Sequence, residues 1–111
     1  MKLITAIVRP DKLDELIGAL ADNRARGLTV TDIRGFGRQF GQLAAGAGLS
    51  RVTLLHKIRL DIVALDDDVE ALVEAIAKHA RTETIGDGKI WVTPVDGALR
   101  VRTGERDRAA I

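Results

Sequence analysis

The 111-residue chain is long enough for one hydrophobic core and too short for two. It is 46% hydrophobic and 30% charged, and 17 Lys+Arg against 16 Asp+Glu leave a formal net charge of +1, which argues against bulk binding to nucleic acid or anionic membrane but allows a local basic patch. The absence of cysteine excludes disulfides and thiolate metal sites, and the apolar stretch within Met1–Arg9 is too short for a signal peptide or membrane span, so a cytoplasmic location is expected.

Residues 2–9 read as a first strand, and Pro10-Asp11 as the opening of a helix. Leu13, Leu16, Ile17 and Leu20 then recur at i, i+3, i+4 and i+7, an apolar stripe that Gly27 is expected to end. Leu28–Arg34 is β-rich and reads as a second strand; a long glycine- and alanine-rich loop over about 36–51 follows, with no clean period. From Val52 to Ala64 the chain alternates over a long period-2 run, which predicts a third strand with His56 among the apolar positions and Lys57 on the more polar side. Asp66, Asp67 and Asp68 sit where a helix dipole favours carboxylates and open a second helix, whose stripe is Val69, Leu72, Val73, Ile76 and Ala80. Lys78, His79 and Arg81 suit its last turn. A glycine-rich turn precedes a strand from Lys89 to Val95; Asp96-Gly97 marks another turn, and Leu99–Arg102 reads as a short final strand.

The order β-α-β-β-α-β is the ferredoxin-like α+β pattern, with a short extra C-terminal strand appended and residues 1–111 forming a single domain. Helices on one face leave the other bare, yet Leu55 and Val63 make that side of the third strand partly apolar. Self-association is the expected cover.

Three elements carry chemistry. Gly86-Asp-Gly-Lys89 offers backbone N–H donors and a lysine suited to phosphates. It is not a P-loop, since the order is helix, loop, strand and Ile90 follows the lysine in place of Ser or Thr. A tight helix-to-strand turn is the competing reading. Arg100 and Arg102 on one face of a strand would stand roughly 7 Å apart and could fork phosphate oxygens, or merely be solvated. Gly35-Phe-Gly-Arg-Gln-Phe-Gly41 would allow close backbone approach to a ligand with Arg38 as a further cation, or be a plain loop. His56 reads as a core or interface histidine, and His79 as a residue suited to the helix dipole. No catalytic triad, paired carboxylates or zinc spacing is present.

The runs Gly27-Leu-Thr-Val-Thr31, Gly35-Phe-Gly-Arg-Gln39, Ile85-Gly-Asp-Gly-Lys-Ile90 and Arg100-Val-Arg-Thr-Gly-Glu105 occur in an order that resembles the PII nitrogen-signalling family over the whole chain. That resemblance implies a homotrimer of ferredoxin-like subunits that bind ATP or ADP in clefts between neighbours. Gly86, Asp87, Gly88 and Lys89 would hold phosphates from one subunit, and Arg100, Arg102 and Arg38 would reach them from the next. Ile7, Thr29, Gly35, Phe36, Gly37 and Val63 would enclose adenine and ribose. It further implies that Mg-ATP supports 2-oxoglutarate, with Gln39 on the magnesium and keto acid and Lys57 on the organic acid. A cation and a lysine would offset the repulsion between two anions. The long loop would dock on an ammonium channel, another transporter or an enzyme, with no nucleic acid and no membrane insertion involved.

The chain departs from the family in having no tyrosine to be nucleotidylylated and an uncharged loop from Phe40 to Ser50. Glu83 stands in place of a glycine of the phosphate turn, and Arg106 and Arg108 stand where acidic residues are common. A non-enzymatic nitrogen sensor is therefore weighed against three others: a sensor of energy charge or another small anion with a non-nitrogen partner, a slow phosphohydrolase, and a structural trimer with a vestigial site. The phosphohydrolase lacks an evident base or water-positioning group in the sequence.

Overall fold

The computed structural model describes residues 1–37 and 53–111. The chain runs through β1 (Lys2–Val8), a single 3-10 turn (Pro10–Lys12), α1 (Leu13–Asp22), β2 (Thr29–Gly35), β3 (Leu55–Ala64), α2 (Asp66–Ala80), β4 (Lys89–Pro94) and a closing 3-10 turn (Asp107–Ala110). The strands form one antiparallel sheet in the order β2-β3-β1-β4. This is the ferredoxin-like arrangement expected from the element order: β1 and β2 run parallel with β3 inserted between them. Among the described residues no helix is long and apolar enough to cross a membrane.

Alternation decides the faces. Ile4, Ala6 and Val8 of β1 and Ile58, Leu60, Ile62 and Ala64 of β3 point to one side and are buried. Leu16 and Leu20 of α1 and Leu72 and Ile76 of α2 close over them to complete the core. Four of these side chains, fully lost from water, each contribute about 1.5–3 kcal/mol of burial. The opposite face carries Leu3, Thr5 and Ile7 of β1 beside Lys57, Arg59, Asp61 and Val63 of β3, and among the described residues no helix covers it. Thr5 is nonetheless fully buried there, because its hydroxyl donates to Asp61 (2.8 Å), whose carboxylate is in turn gripped by Arg59. Arg59 first, and Thr5 after the opposing effect of burial, hold the Asp61 carboxyl below its ordinary pKa.

Several sequence expectations shift at their boundaries. The third strand begins at Leu55; Thr53 and Leu54 precede it and Val52 lies outside the described residues. His56 is not a core histidine: it lies beyond Ile58, the first buried residue of that face, and its exposed ring meets Asp32 at 3.0 Å. His79 does more than suit the helix dipole, since its Nδ1 lies 2.8 Å from Glu15 Oε1 and ties the end of α2 to the start of α1.

The first helix ends before Gly27. After Asp22 the Asn23 amide is shared between Ala19 and Leu20 carbonyls, and Ala25 N–H donates to Leu20 O at 3.0 Å. That six-to-one closure is the Schellman motif, and the left-handed residue it requires is Arg24, with φ of 70°. Arginine there carries a Cβ penalty that glycine lacks. The substitution Arg24→Gly is expected to raise stability by about 1 kcal/mol, read as a higher urea midpoint with an unchanged slope.

Candidate functional site

Between α2 and β4 the chain reverses through residues 81–88, and three of these positions are left-handed: Glu83 (φ 64°), Gly86 (φ 104°) and Gly88 (φ 101°). Such a path forms few backbone hydrogen bonds of its own; within the turn Asp87 N–H reaches Thr84 O at 3.3 Å. A side chain supplies the rest. Asp87 accepts from the Thr82 N–H (2.7 Å) and Glu83 N–H (2.8 Å) through Oδ2, and from the Thr82 hydroxyl and Arg9 Nε (3.1 Å) through Oδ1. The Thr82 hydroxyl is the chief reason its carboxyl stays far below the usual carboxylate range, with the Thr82 N–H, Arg9 and the Glu83 N–H adding to it against partial burial.

Arg9, immediately after β1, clamps the turn from below. Its Nη2 donates to Ile85 O (2.7 Å) and to the Thr84 hydroxyl (2.8 Å). Lys57 of β3 reaches up from the helix-free face and donates to Gly86 O at 2.8 Å. Burial first, and then the neighbouring Arg9 charge, push the Lys57 ammonium below its ordinary pKa, while Asp87 and Asp11 pull the other way. Lys89, paired with Ile7 across the β4–β1 ladder, is exposed and has no ion-pair partner among the described residues. The N–H groups of Ile85 and Gly86 likewise meet no acceptor among the described residues. The turn thus presents open amide donors beside Arg9, Lys57 and Lys89, with the paired carboxylate of Asp87 and the exposed one of Glu83 in the turn and Asp11 near Lys57. Chemically, that suits an anion with several oxygens.

Gly88 is fixed by packing. A Cβ at this position would lie 1.6 Å from Ile7 O and 2.7 Å from Ile7 C, both main-chain atoms. Only glycine lets the turn enter β4 hard against β1. In place of the short final strand expected over Leu99–Arg102, the chain makes a tight turn closed by an isolated antiparallel bridge between Leu99 and Arg106. Arg100 N–H donates to Glu105 O (2.8 Å) and Gly104 N–H to Arg100 O (2.8 Å), with Gly104 left-handed at φ 73°. A turn of six residues bonded to itself leaves no ladder for a strand to join. Arg100 and Arg102 consequently do not stand on one strand face. Arg100 pairs with Glu105 (3.0 Å), Arg102 has no ion pair among the described residues, and Val101 between them is 92% exposed.

The two sets of expected site residues lie at opposite ends of the sheet. Ile7 faces Lys89 beside the glycine turn, and Gly35, at the end of β2 opposite Leu55, brings Phe36 and Gly37 to the same end. Thr29 pairs with Asp61 and Val63 with Leu3 at the other end, where an open cleft of about 420 Å³ is bordered by both and by Leu99 and Arg100. From Asp61 to Lys57 is four residues of β3, about 13 Å. One chain alone does not bring Arg100 to the glycine turn. Arg38 and Gln39 lie outside the described residues, as does Ser50.

Sequence reasoning missed Arg9, Thr82 and Thr84. Their only local sign is hydroxyls flanking Glu83 before a glycine turn; that Arg9 meets them depends on the β1–β4 register, which no local pattern carries. A four-stranded antiparallel sheet with two helices on one face, a glycine turn ringed by cations at one end and an arginine-bearing cleft at the other define a ferredoxin-like α+β protein with a polyanion-suited surface. The chain belongs to the family described as nitrogen regulatory protein P-II, which it matches over residues 1–105. It is 47% identical to nitrogen regulatory protein P-II of Cereibacter sphaeroides, over the whole of both chains. It is 46% identical to nitrogen regulatory protein P-II 2 of Methanothermobacter thermautotrophicus, over all of this chain and 97% of that one. Against nitrogen regulatory protein GlnK of Escherichia coli the identity is 43%, again over the whole of both chains.

Two outcomes follow from the turn. Gly88→Ala is expected to cost about 3 kcal/mol in urea unfolding, because neither the Ile7 main chain nor a φ of 101° accommodates a methyl group. The depressed Asp87 carboxyl contributes stability above the unfolded carboxylate pKa of about 3.9 and loses it as pH falls toward the lower folded value. Asp87→Asn is therefore expected to lower the melting temperature at neutral pH and to flatten the acid limb of a melting-temperature profile below about pH 4.

Proposed function

We propose that this chain is a non-enzymatic signal-transduction subunit of nitrogen regulation that responds to ATP or ADP. The observation that carries the reading is the Asp87-tied turn, with open N–H groups at Ile85 and Gly86 and the cations Lys89, Lys57 and Arg9 around it. In this reading Gly86, Gly88 and Lys89 hold phosphates, and Asp87 serves them by shaping the turn, since its carboxylate is already engaged. Ile7, Gly35, Phe36 and Gly37 border the nucleotide from the same side, and Thr29 and Val63 border it from the far end of a neighbouring copy.

Arg100 borders a cleft with Asp61 and Val63, whereas the glycine turn meets Lys57, about 13 Å along β3 from Asp61, and this supports a cleft closed between copies. Arg100 and Arg102 of one subunit then complete the phosphate site of the next, in a homotrimer whose helix-free sheet faces are turned inward. The names of the relatives, all nitrogen regulatory proteins, support the regulatory role.

Lys57 carries the second part of the reading. Its half-buried ammonium meets the neutral Gly86 carbonyl, and Asp87 and Asp11 only partly offset burial and the repulsion of Arg9, so a small dicarboxylate such as 2-oxoglutarate would add counter-charge. Magnesium belongs with ATP in this scheme, held mainly by phosphate oxygens with Gln39 as the protein ligand, and it would offset the charge between triphosphate and keto acid. Arg38 is the further cation toward the phosphates. The long loop passes the ligand state to a target protein, by favouring one loop conformation when the ligands are bound.

Thermal shift and titration calorimetry test this directly. ATP or ADP at about 100 times its dissociation constant is expected to stabilise the protein by about 2.7 kcal/mol, a rise of several degrees. The double variant Arg100→Ala, Arg102→Ala is expected to lose at least about tenfold in affinity, or about 1.4 kcal/mol, while keeping its fold. Absence of heat and of any shift at millimolar nucleotide would overturn the reading.

A further inference from the structure

We propose that Glu83 is a specificity-determining residue that biases the glycine turn away from the most highly charged nucleotide, so that metal-free nucleoside triphosphate is discriminated against in favour of the diphosphate. This rests on the reading of the turn as a phosphate site.

Residue 83 is held in the left-handed region, at φ 64°, where a side chain is disfavoured and a glycine would be at ease. It is kept there by its own N–H, which donates to Asp87 Oδ2 at 2.8 Å, and Asp87 in turn is anchored by Arg9 at 3.1 Å. The Cα of Glu83 is therefore a fixed part of the turn, and the residue cannot leave without undoing the bonds that shape it. Its carboxylate is exposed and has no hydrogen bond or ion pair among the described residues.

The other charges near the turn are accounted for differently. Asp87 is engaged by four donors, Arg9 is spent on Asp87, and Lys57 on Gly86 O; Lys89 and, at the start of the turn, Arg81 are exposed cations with no ion pair among the described residues. Glu83 thus sets one negative charge within the same short turn as the phosphate-facing amides. A strained residue whose side chain has no partner among the described residues adds nothing to folding that a glycine, keeping the same N–H bond, would not supply better. Its charge acts instead on whatever anion the turn receives.

A triphosphate carries one unit of charge more than the diphosphate. Against a carboxylate held about 8 Å away, that unit changes the triphosphate-to-diphosphate affinity ratio by about twofold at the dielectric constant of bulk water and about thirtyfold at that of a protein surface. Magnesium lowers the charge of either nucleotide by two units, so the comparison that isolates this difference is between the metal-free forms. Salt weakens the discrimination as the screening length falls from about 10 Å at 0.1 M to about 3 Å at 1 M.

The test compares the full-length protein with Glu83→Gln, which keeps the backbone strain and removes the charge, and with Glu83→Gly, which removes both. Calorimetric titrations with ATP and with ADP are run in EDTA, at 0.1 M and 1 M salt. The expected result is an ATP-to-ADP affinity ratio at least twofold higher in both variants than in the parent protein at 0.1 M salt, with the three proteins converging in 1 M salt. An unchanged ratio in Glu83→Gln alongside nucleotide binding by the parent protein would overturn the inference and leave the phosphate site standing. Equal gains for ATP and ADP confined to Glu83→Gly would also overturn it, since relief of strain would then account for the effect. Failure of all three proteins to bind either nucleotide would overturn the phosphate-site reading and this inference together.

Discussion

A single carboxylate organises the end of the sheet that carries the glycine turn. Three left-handed residues within six positions leave the segment after α2 with few main-chain bonds of its own, and Asp87 supplies the acceptors in their place. By taking the N–H groups of Thr82 and Glu83, the Thr82 hydroxyl and the Arg9 guanidinium, it converts a loop into a turn of defined shape. The same arrangement determines which groups remain outward. Once Asp87 is engaged inward, the Glu83 carboxylate and the side chains of Arg81 and Ile85 stand exposed, with Lys89 beside them at the start of β4.

Two contacts from the sheet then hold this turn in register. Gly88 enters β4 so close to Ile7 that no side chain fits, and Lys57 ties Gly86 to the helix-free face of β3. The turn is thus coupled to β1 through Arg9 and Gly88 and to β3 through Lys57. β3 also leads back toward the long loop, so a ligand that competed for Lys57 or Arg9 would act on turn and strand together. Chemistry and fold share the same side chains here.

The sheet also spreads the site's parts apart. β1 and β3 carry Ile7 and Lys57 at one end and Leu3, Asp61 and Val63 at the other, and the self-bonded turn that holds Arg100 joins the second set. A strand of ordinary length cannot be shortened to bring them together. The geometry of one chain therefore holds the glycine turn and the Arg100-bearing cleft apart, and membership of the P-II family gives both a regulatory setting.

Much of this was legible from residue order. Apolar alternation in Val52–Ala64 and the i, i+3, i+4 stripes of the two helices identified βαββαβ, because burial on one face imposes those periods on any chain that folds this way. The glycines at 86 and 88 marked the turn, and the dispersed P-II runs identified the family. The errors came where a local pattern was overridden at longer range. Arg-Val-Arg reads as alternation but is the tip of a turn that bonds to Glu105, and His56 continues an apolar series past the point where the helices cover it. Gly27 looked like a helix stop, yet Asn23 and Arg24 had already ended the helix through bonds to Ala19 and Leu20. By itself the sequence determined the element order, the buried stripes and the glycine positions, since each depends on neighbours a few residues away. Only the tertiary structure decided that Arg9 clamps the turn, that Asp87 faces inward and that Lys57 meets Gly86, because those contacts join residues 29 to 78 positions apart, or reverse a chain whose direction no local period encodes.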